Sequence, residues 1–252
     1  MKRTMKTLKV NDIFPIRTGG TVTVTKIINN LNIEVTHNDS YRYRHYVQLA
    51  HLNIGNIKNP YHPNVFDVGY IGAGIYSPTI NGKHTEEHIK WRSMLNRCYY
   101  NETQILQPCY ADCTTIEEWH NFQNFAHWYV RQPNYGKSYQ LDKDILIPGN
   151  KIYSPEACTL VPRIINTLFI DISNSLVSNG NPVGVYTRGT KFRAETSQAY
   201  IGTYSTREEA SAAYLEYKKN YILEVAEQYK NDVDIRVYNR LIALANTKKS
   251  NT

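Results

Sequence analysis

The amino-acid sequence predicts an α+β protein in three parts. These are a small N-terminal β-rich domain with its connector at 1–80, a central ββα core with preceding helices at 81–175, and a three-stranded sheet plus helix at 180–246. Three observations predict this class. Residues 20–48 alternate apolar and polar side chains between Asn-rich turns, which is period-two strand text. Residues 85–129 repeat aromatic side chains at helical spacing instead. Residues 140–166, QLDKDILIPGNKIYSPEACTLVPRIIN, pack acid, amide and turn residues into a hairpin followed by a helix.

In the first part, Gly20 to Thr25 alternates strictly, Asn29-Asn30 turns, Ile33 to Val35 continues, and Asn38-Asp39-Ser40 turns again before a strand from Tyr41 to Gln48. Alternation places Arg42 and Arg44 on one face and the tyrosines on the other. Two readings follow: a solvated charged face over a Tyr-packed core, or a strand facing DNA. Residues 52–82 are rich in Gly and Pro but interleaved with Tyr, Phe and Ile, so they form an irregular connector that packs on another element.

Thr85 is an N-cap for a helix running through Cys98, with Trp91, Met94, Leu95 and Cys98 on one stripe. A second helix is predicted from Thr115, with Glu118 completing a capping box and Ile116, Trp119, Phe122, Ala126 and Tyr129 lining one side. Both stripes read as core. His120 and His127 lie seven residues apart on this second helix, hence on about the same face, as structural histidines or as the source of a general base.

The central stretch reads as a strand at Leu141 to Ile145, a turn at Pro148 to Lys151, a strand at Cys158 to Val161, and a helix with Pro162 in its first turn. Asp142 on the strand and Asn166 on the helix then face each other and can hold one divalent metal. In the last part, Val183 to Tyr186, Lys191 to Thr196 and Ala199 to Tyr204 are strands, followed by a long helix with a Thr206/Glu209 capping box. Phe192 and Ala194 face that helix, so Lys191, Arg193 and Glu195 project outward.

Composition sets the class of partner. The chain has 252 residues, 41% of them hydrophobic, with a formal charge of +7 and a pI near 9.1. Its 29 Lys and Arg and 21 Tyr combine phosphate neutralisation with flat stacking surfaces, which favours nucleic acid. The basic amino terminus lacks an apolar h-region, and no run approaches the ~20 apolar residues of a membrane span, so a soluble, unsecreted chain with no membrane partner is expected. Cys98, Cys109, Cys113 and Cys158 lack the two-residue knuckle spacing of structural zinc sites and read as reduced thiols.

The order Asp, strand, loop, Tyr-Ser-Pro-Glu, strand, helix with Asn resembles the ββα-metal core of HNH endonucleases, especially the homing type of bacteriophages. W-x-x-M-L-x-R-C-Y from Trp91 and E-E-W-x-x-F from Glu117 resemble the segment that precedes that core. The resemblance implies that Asp142 and Asn166 hold Mg²⁺ or another divalent ion, with Asp144 as an alternative ligand or weak base. Lys143 stands where the family places its general-base His, and suits phosphate binding. Asn150 would organise the loop.

Gly-Val-Tyr-x-Arg from Gly184, Lys-Phe-Arg-Ala-Glu from Lys191, Tyr-Ile-Gly-Thr-Tyr from Tyr200 and T-x-E-E-A-x-x-A-Y from Thr206 resemble the Apetala/ethylene-response-factor DNA-binding domain. That likeness implies a sheet face reading the major groove through Tyr186, Arg188, Lys191, Arg193, Glu195 and Tyr200. Together the two resemblances imply a metal-dependent endonuclease that hydrolyses phosphodiesters of double-stranded DNA in the cytoplasm of an infected cell. A DNA-binding regulator or anti-defence factor with a decayed nuclease core is the alternative, and structured RNA is a third possible partner.

Overall fold

The computed structural model describes residues 3–173 and 181–247. The chain is mixed α+β, with seven α-helices and several small sheets among the described residues. It divides into two compact units, Met1–Ser77 with His120–Gln123, and Pro78–Trp119 with Asn124–Thr252.

The first unit is built on an antiparallel sheet of β1 (Ile13–Pro15), β2 (Thr21–Asn29), β3 (Asn32–His37) and β4 (Arg44–Val47) in that spatial order, followed by α1 (Leu49–Ile54). Its core is mainly aliphatic: Val22, Val24, Ile33, Val35, Val47 and Leu52 are buried together with Phe14. The strand expected from Tyr41 starts three residues late. Asp39 Oδ1 accepts hydrogen bonds from the backbone N–H groups of Tyr41 (3.1 Å) and Arg42 (3.0 Å), which prolongs the turn and holds Arg42 at φ +52°. Arg44 and Tyr46, two residues apart on β4, share its exposed face, so the strand does not keep arginines and tyrosines on opposite faces.

The second unit opens with a short hairpin of β5 (Thr79–Ile80) and β6 (Lys83–His84) and continues into α2 (Glu86–Tyr99) and α3 (Asn101–Leu106). Thr85 caps α2 as expected, its side chain accepting from His88 N at 3.4 Å, and α2 buries Trp91, Met94, Leu95 and Cys98. Thr115 does not begin a helix. It lies in β7 (Thr114–Thr115), is followed by a 3-10 turn at Glu117–His120, and only then does α4 (Phe122–Tyr129) start. Asn121 takes over the capping role, since its Oδ1 accepts from Gln123 N at 3.0 Å. His120 and His127 therefore sit on different elements rather than on one helix face. The aromatic stripes are core as predicted: the Trp91 indole donates to the Trp119 carbonyl at 2.7 Å, and Phe125 and Tyr129 are fully buried.

Next come β8 (Gln140–Asp142), β9 (Ile152–Tyr153), β10 (Thr159–Val161) and α5 (Arg163–Ser173). β8 and β10 pair antiparallel, with Asp142 opposite Thr159 and Gln140 opposite Val161. β9 pairs in parallel with β7, and Thr115 Oγ1 donates to the Tyr153 carbonyl at 3.2 Å, which is why Thr115 is drawn into a strand.

The chain ends with an antiparallel sheet of β11 (Val185–Arg188), β12 (Lys191–Glu195) and β13 (Tyr200–Tyr204), then α6 (Arg207–Tyr229) and α7 (Ile235–Thr247). The Thr206/Glu209 capping box is formed in both directions. Over its first half α6 covers the sheet, burying Val185, Ala194, Ala210 and Tyr214. Over its second half Ile222, Val225 and Ala226 join Val237 and Leu241 of α7 and Val161, Ile165 and Leu168 of the β10–α5 region in one apolar core. One helix of 23 residues, roughly 34 Å long, thus carries the sheet at one end and the ββα segment at the other.

Gly184 is where this packing tolerates least change. It has φ +76°, and a Cβ there would come within 2.0 Å of a ring carbon of Tyr214. Gly184→Ala is expected to cost about 1–3 kcal/mol by overpacking, with further strain from the positive φ. Gly189 has φ +60° but open space around it, so Gly189→Ala should cost only about 1–2 kcal/mol. Thermal melts followed by circular dichroism would test the ranking.

Candidate functional site

β8 leaves its pairing at Asp142, and the chain turns sharply around that side chain. Asp142 Oδ1 accepts from Asp144 N at 2.9 Å and from Ile145 N at 2.7 Å, so the carboxylate organises the turn it precedes. Burial raises its pKa to about 6, helped by the neighbouring Asp144 carboxylate and opposed by the two backbone N–H groups. The alternation expected through Ile145 stops here, and the two acids come together at the turn instead of one replacing the other as the candidate ligand.

Lys143 points into the protein and is only 5% exposed. Its ammonium donates to the Asn150 carbonyl at 2.9 Å and to Asp144 Oδ2 at 3.1 Å, and lies 5.9 Å from the centre of the Tyr153 ring. Asn150 closes the same loop: its Nδ2 donates to the carbonyls of Lys143 and Ile152, both at 2.7 Å, and its Oδ1 accepts from Ile152 N at 3.2 Å. Lys143 and Asn150 are thus mutual clasps across the loop between β8 and β9.

Asn166 on α5 donates from Nδ2 to Gln140 Oε1 at 2.7 Å. Gln140 and Asp142 are two residues apart on one strand and share a face, with Leu141 buried on the other, so Asn166 lies on the Asp142 side of β8. Its immediate partner is Gln140, a residue that spacing alone did not single out.

Arg97, quoted in the aromatic motif of α2, also belongs to this site. Its guanidinium approaches the Tyr153 hydroxyl at 3.5 Å and stacks over the Tyr110 ring at 5.2 Å. Burial pulls its pKa down, but Tyr153, Tyr110 and Asp142 outweigh burial and hold the cation firmly charged. The signal was an arginine at the edge of a buried stripe, where a charge needs a partner. Beneath lie Cys98, Cys113 and Cys158, all buried and unbridged, and burial pushes the Cys98 thiol up to about 12, which makes it inert. No group of three or more His, Cys, Asp and Glu arranged to hold a metal occurs among the described residues.

The C-terminal sheet forms a second candidate surface. Register pairs Tyr186 with Arg193, Arg188 with Lys191, and Glu195 with Tyr200, so all six side chains named from the sequence lie on the face opposite α6. Arg193 is central among them. It is ion-paired to Glu195, lies 5.1 Å over the ring of Tyr200, and has an Nε sealed from solvent without a partner. Tyr200, 60% exposed, is braced by a 3.0 Å hydrogen bond between its hydroxyl and that of Thr203.

No helix among the described residues is long and apolar enough to cross a membrane. Comparison with protein-family models, curated proteins and solved structures finds no match for this chain.

Proposed function

We propose that this chain is a metal-dependent DNA endonuclease of the HNH type that reads duplex DNA with its C-terminal sheet. The observation that carries this reading is the antiparallel β8–β10 pair running directly into α5, with Asp142 on the strand and Asn166 on the same side of it. The donors suit a hard divalent cation: two adjoining carboxylates, Asp142 and Asp144, and an amide oxygen on Asn166 whose NH₂ is already committed to Gln140. Bound there, such an ion would stabilise charge developing on the scissile phosphate and its leaving oxygen. Arg97 would offset the paired acids, and the Lys143–Asn150 clasp would fix the loop that presents them.

DNA recognition would fall to the outward sheet face. A narrow antiparallel sheet fits the major groove, and a guanidinium can donate two parallel hydrogen bonds to guanine. Arg193 is pre-oriented by Glu195 and Tyr200, which lowers the entropy lost when it meets a base. The shared helix α6 supports a fixed geometry between reading and cutting, because both ends of it are buried in apolar cores.

A second reading, a DNA-binding protein that does not cut, is favoured by Lys143. At the position of the family's base, its ammonium is buried and spent on Asn150 and Asp144. The recognition half of the proposal is tested by selecting a preferred duplex and measuring its affinity. Arg193→Ala should weaken binding roughly tenfold to a hundredfold and relax preference at one base pair, with little change for unrelated duplex. Equal loss on every sequence would reduce Arg193 to a phosphate contact. No loss would reject the sheet face as reader.

A further inference from the structure

Most of the net positive charge of this protein lies in residues 1–77, which carry neither of the surfaces described above. Residues 1–77 hold nine Lys and Arg against four Asp and Glu, a formal +5 of the chain's +7. Such an excess of positive charge favours association with a polyanion at moderate salt.

At one end of the β1–β4 sheet the same unit opens a groove of about 360 Å³ whose lining includes Tyr41, Tyr61 and Tyr70, with His37 beside them. These tyrosines lie outside the hydrophobic core of the unit. Tyr41 lies flat on Tyr61, with ring centres 4.3 Å apart and planes 12° from parallel, and its hydroxyl meets that of Tyr70 at 2.8 Å. Tyr41 nevertheless stays 49% exposed, so part of its ring remains available to a ligand.

The platform is held in place by hydrogen bonds of the groove's own polar residues. Asp39 accepts from the N–H groups of Tyr41 and Arg42 and from Asn59 Nδ2 at 2.7 Å, while Asn38 bridges Thr21 and Thr23 at 2.9 Å each. His37 is 1% exposed and stacks on His45 with ring centres 5.3 Å apart. Arg17 and Arg42, chain neighbours of groove residues, are exposed and have no side-chain partner among the described residues. An exposed aromatic ring on a hydrogen-bonded support, with unspent guanidinium groups on adjoining residues of the chain, is a combination suited to binding bases by stacking and phosphates by charge.

We infer that this groove is a binding site for an unpaired nucleotide of a nucleic-acid strand, its base stacked on Tyr41 and its flanking phosphates met by Arg17 and Arg42. The site shares no residue with the Asp142 region or the C-terminal sheet and does not rest on the nuclease reading.

The test is fluorescence anisotropy of the full chain with a short labelled oligothymidylate, and with duplex DNA in parallel. Wild type should bind the single strand, Tyr41→Ala should weaken this roughly tenfold to a hundredfold, and Tyr41→Phe should restore it. The double variant Arg17→Gln/Arg42→Gln should lower the slope of log affinity against log salt by about 1.4, as expected for two fewer single-strand phosphate contacts. Duplex affinity should hardly change in these variants, whereas Arg193→Ala should alter duplex and spare the oligothymidylate. Oligouridylate in a further arm separates RNA from DNA as the source of the strand. The inference is overturned if Tyr41→Ala melts like wild type and binds oligothymidylate equally well, if Tyr41→Phe loses as much as Tyr41→Ala, or if Arg193→Ala abolishes single-strand binding. Failure of duplex recognition with Tyr41-dependent binding intact would instead remove only the function proposed for the sheet and the Asp142 site.

Discussion

Asp142→Asn should melt a few °C above the wild type in EDTA at pH 7.5, and should lose at least a hundredfold in DNA cleavage. The amide keeps the oxygen that accepts from Asp144 N and Ile145 N, so the turn survives. What disappears is a buried negative charge beside Asp144. With a folded-state pKa of about 6 against an ordinary value near 3.8, Asp142 binds more protons when folded than when unfolded across that interval. The contribution of Asp142 to stability therefore falls as pH rises from about 4 through 6 and stays at the lower level above it. The substitution removes this loss, so the gap in melting temperature should vanish near pH 4 and be fully open above about pH 7. Its size follows from about 2–4 °C per kcal/mol for a chain of this length. A gain in stability coupled to loss of activity marks a group kept for chemistry. Equal melting at both pH values would remove the strain assigned to this carboxylate.

Lys143→Met should act in the opposite direction, lowering stability by about 2 kcal/mol, or roughly 4–8 °C in melting temperature. Methionine can replace the aliphatic stem, but it leaves the Asn150 carbonyl without its charged donor and frees the loop between β8 and β9. Duplex affinity should hold, because the sheet face is untouched. Calorimetric melting together with anisotropy distinguishes this structural role from a catalytic one: a Lys143 acting as base would give a variant as stable as wild type with its pH–rate profile altered. For the same reason Lys143→His should not supply a general base, since the side chain at this position turns inward.

Legibility in the sequence followed how local the deciding interactions are. The C-terminal sheet and its six outward residues were legible because alternation, a Gly turn and a capping box all act within a few residues. Thr115 misled because Thr-x-x-Glu is equally compatible with a strand when a distant partner, Tyr153, claims the threonine. The start of β4 was missed because Asp39 extends a turn through side-chain hydrogen bonds that alternation does not register. α7 went unread, although Asp234 before it and Val237, Leu241 and Ala245 at spacings of four are ordinary helix text. In the candidate site, Asp142, Asp144 and Asn166 were chosen by position. The inward turn of Lys143 and the recruitment of Arg97 and Gln140 depend on tertiary contacts no local pattern encodes.

Nicking of supercoiled plasmid is the most direct measurement of the central claim. Wild type should convert it to open-circle or linear DNA with Mg²⁺ and not in EDTA, while Asp142→Asn and Asn166→Ala, folded by their melting curves, should leave it supercoiled. Cleavage that persists in both variants would contradict the site. Tight duplex binding with no cleavage in Mg²⁺ or Mn²⁺ by the wild type would contradict the nuclease and leave a protein that only binds DNA.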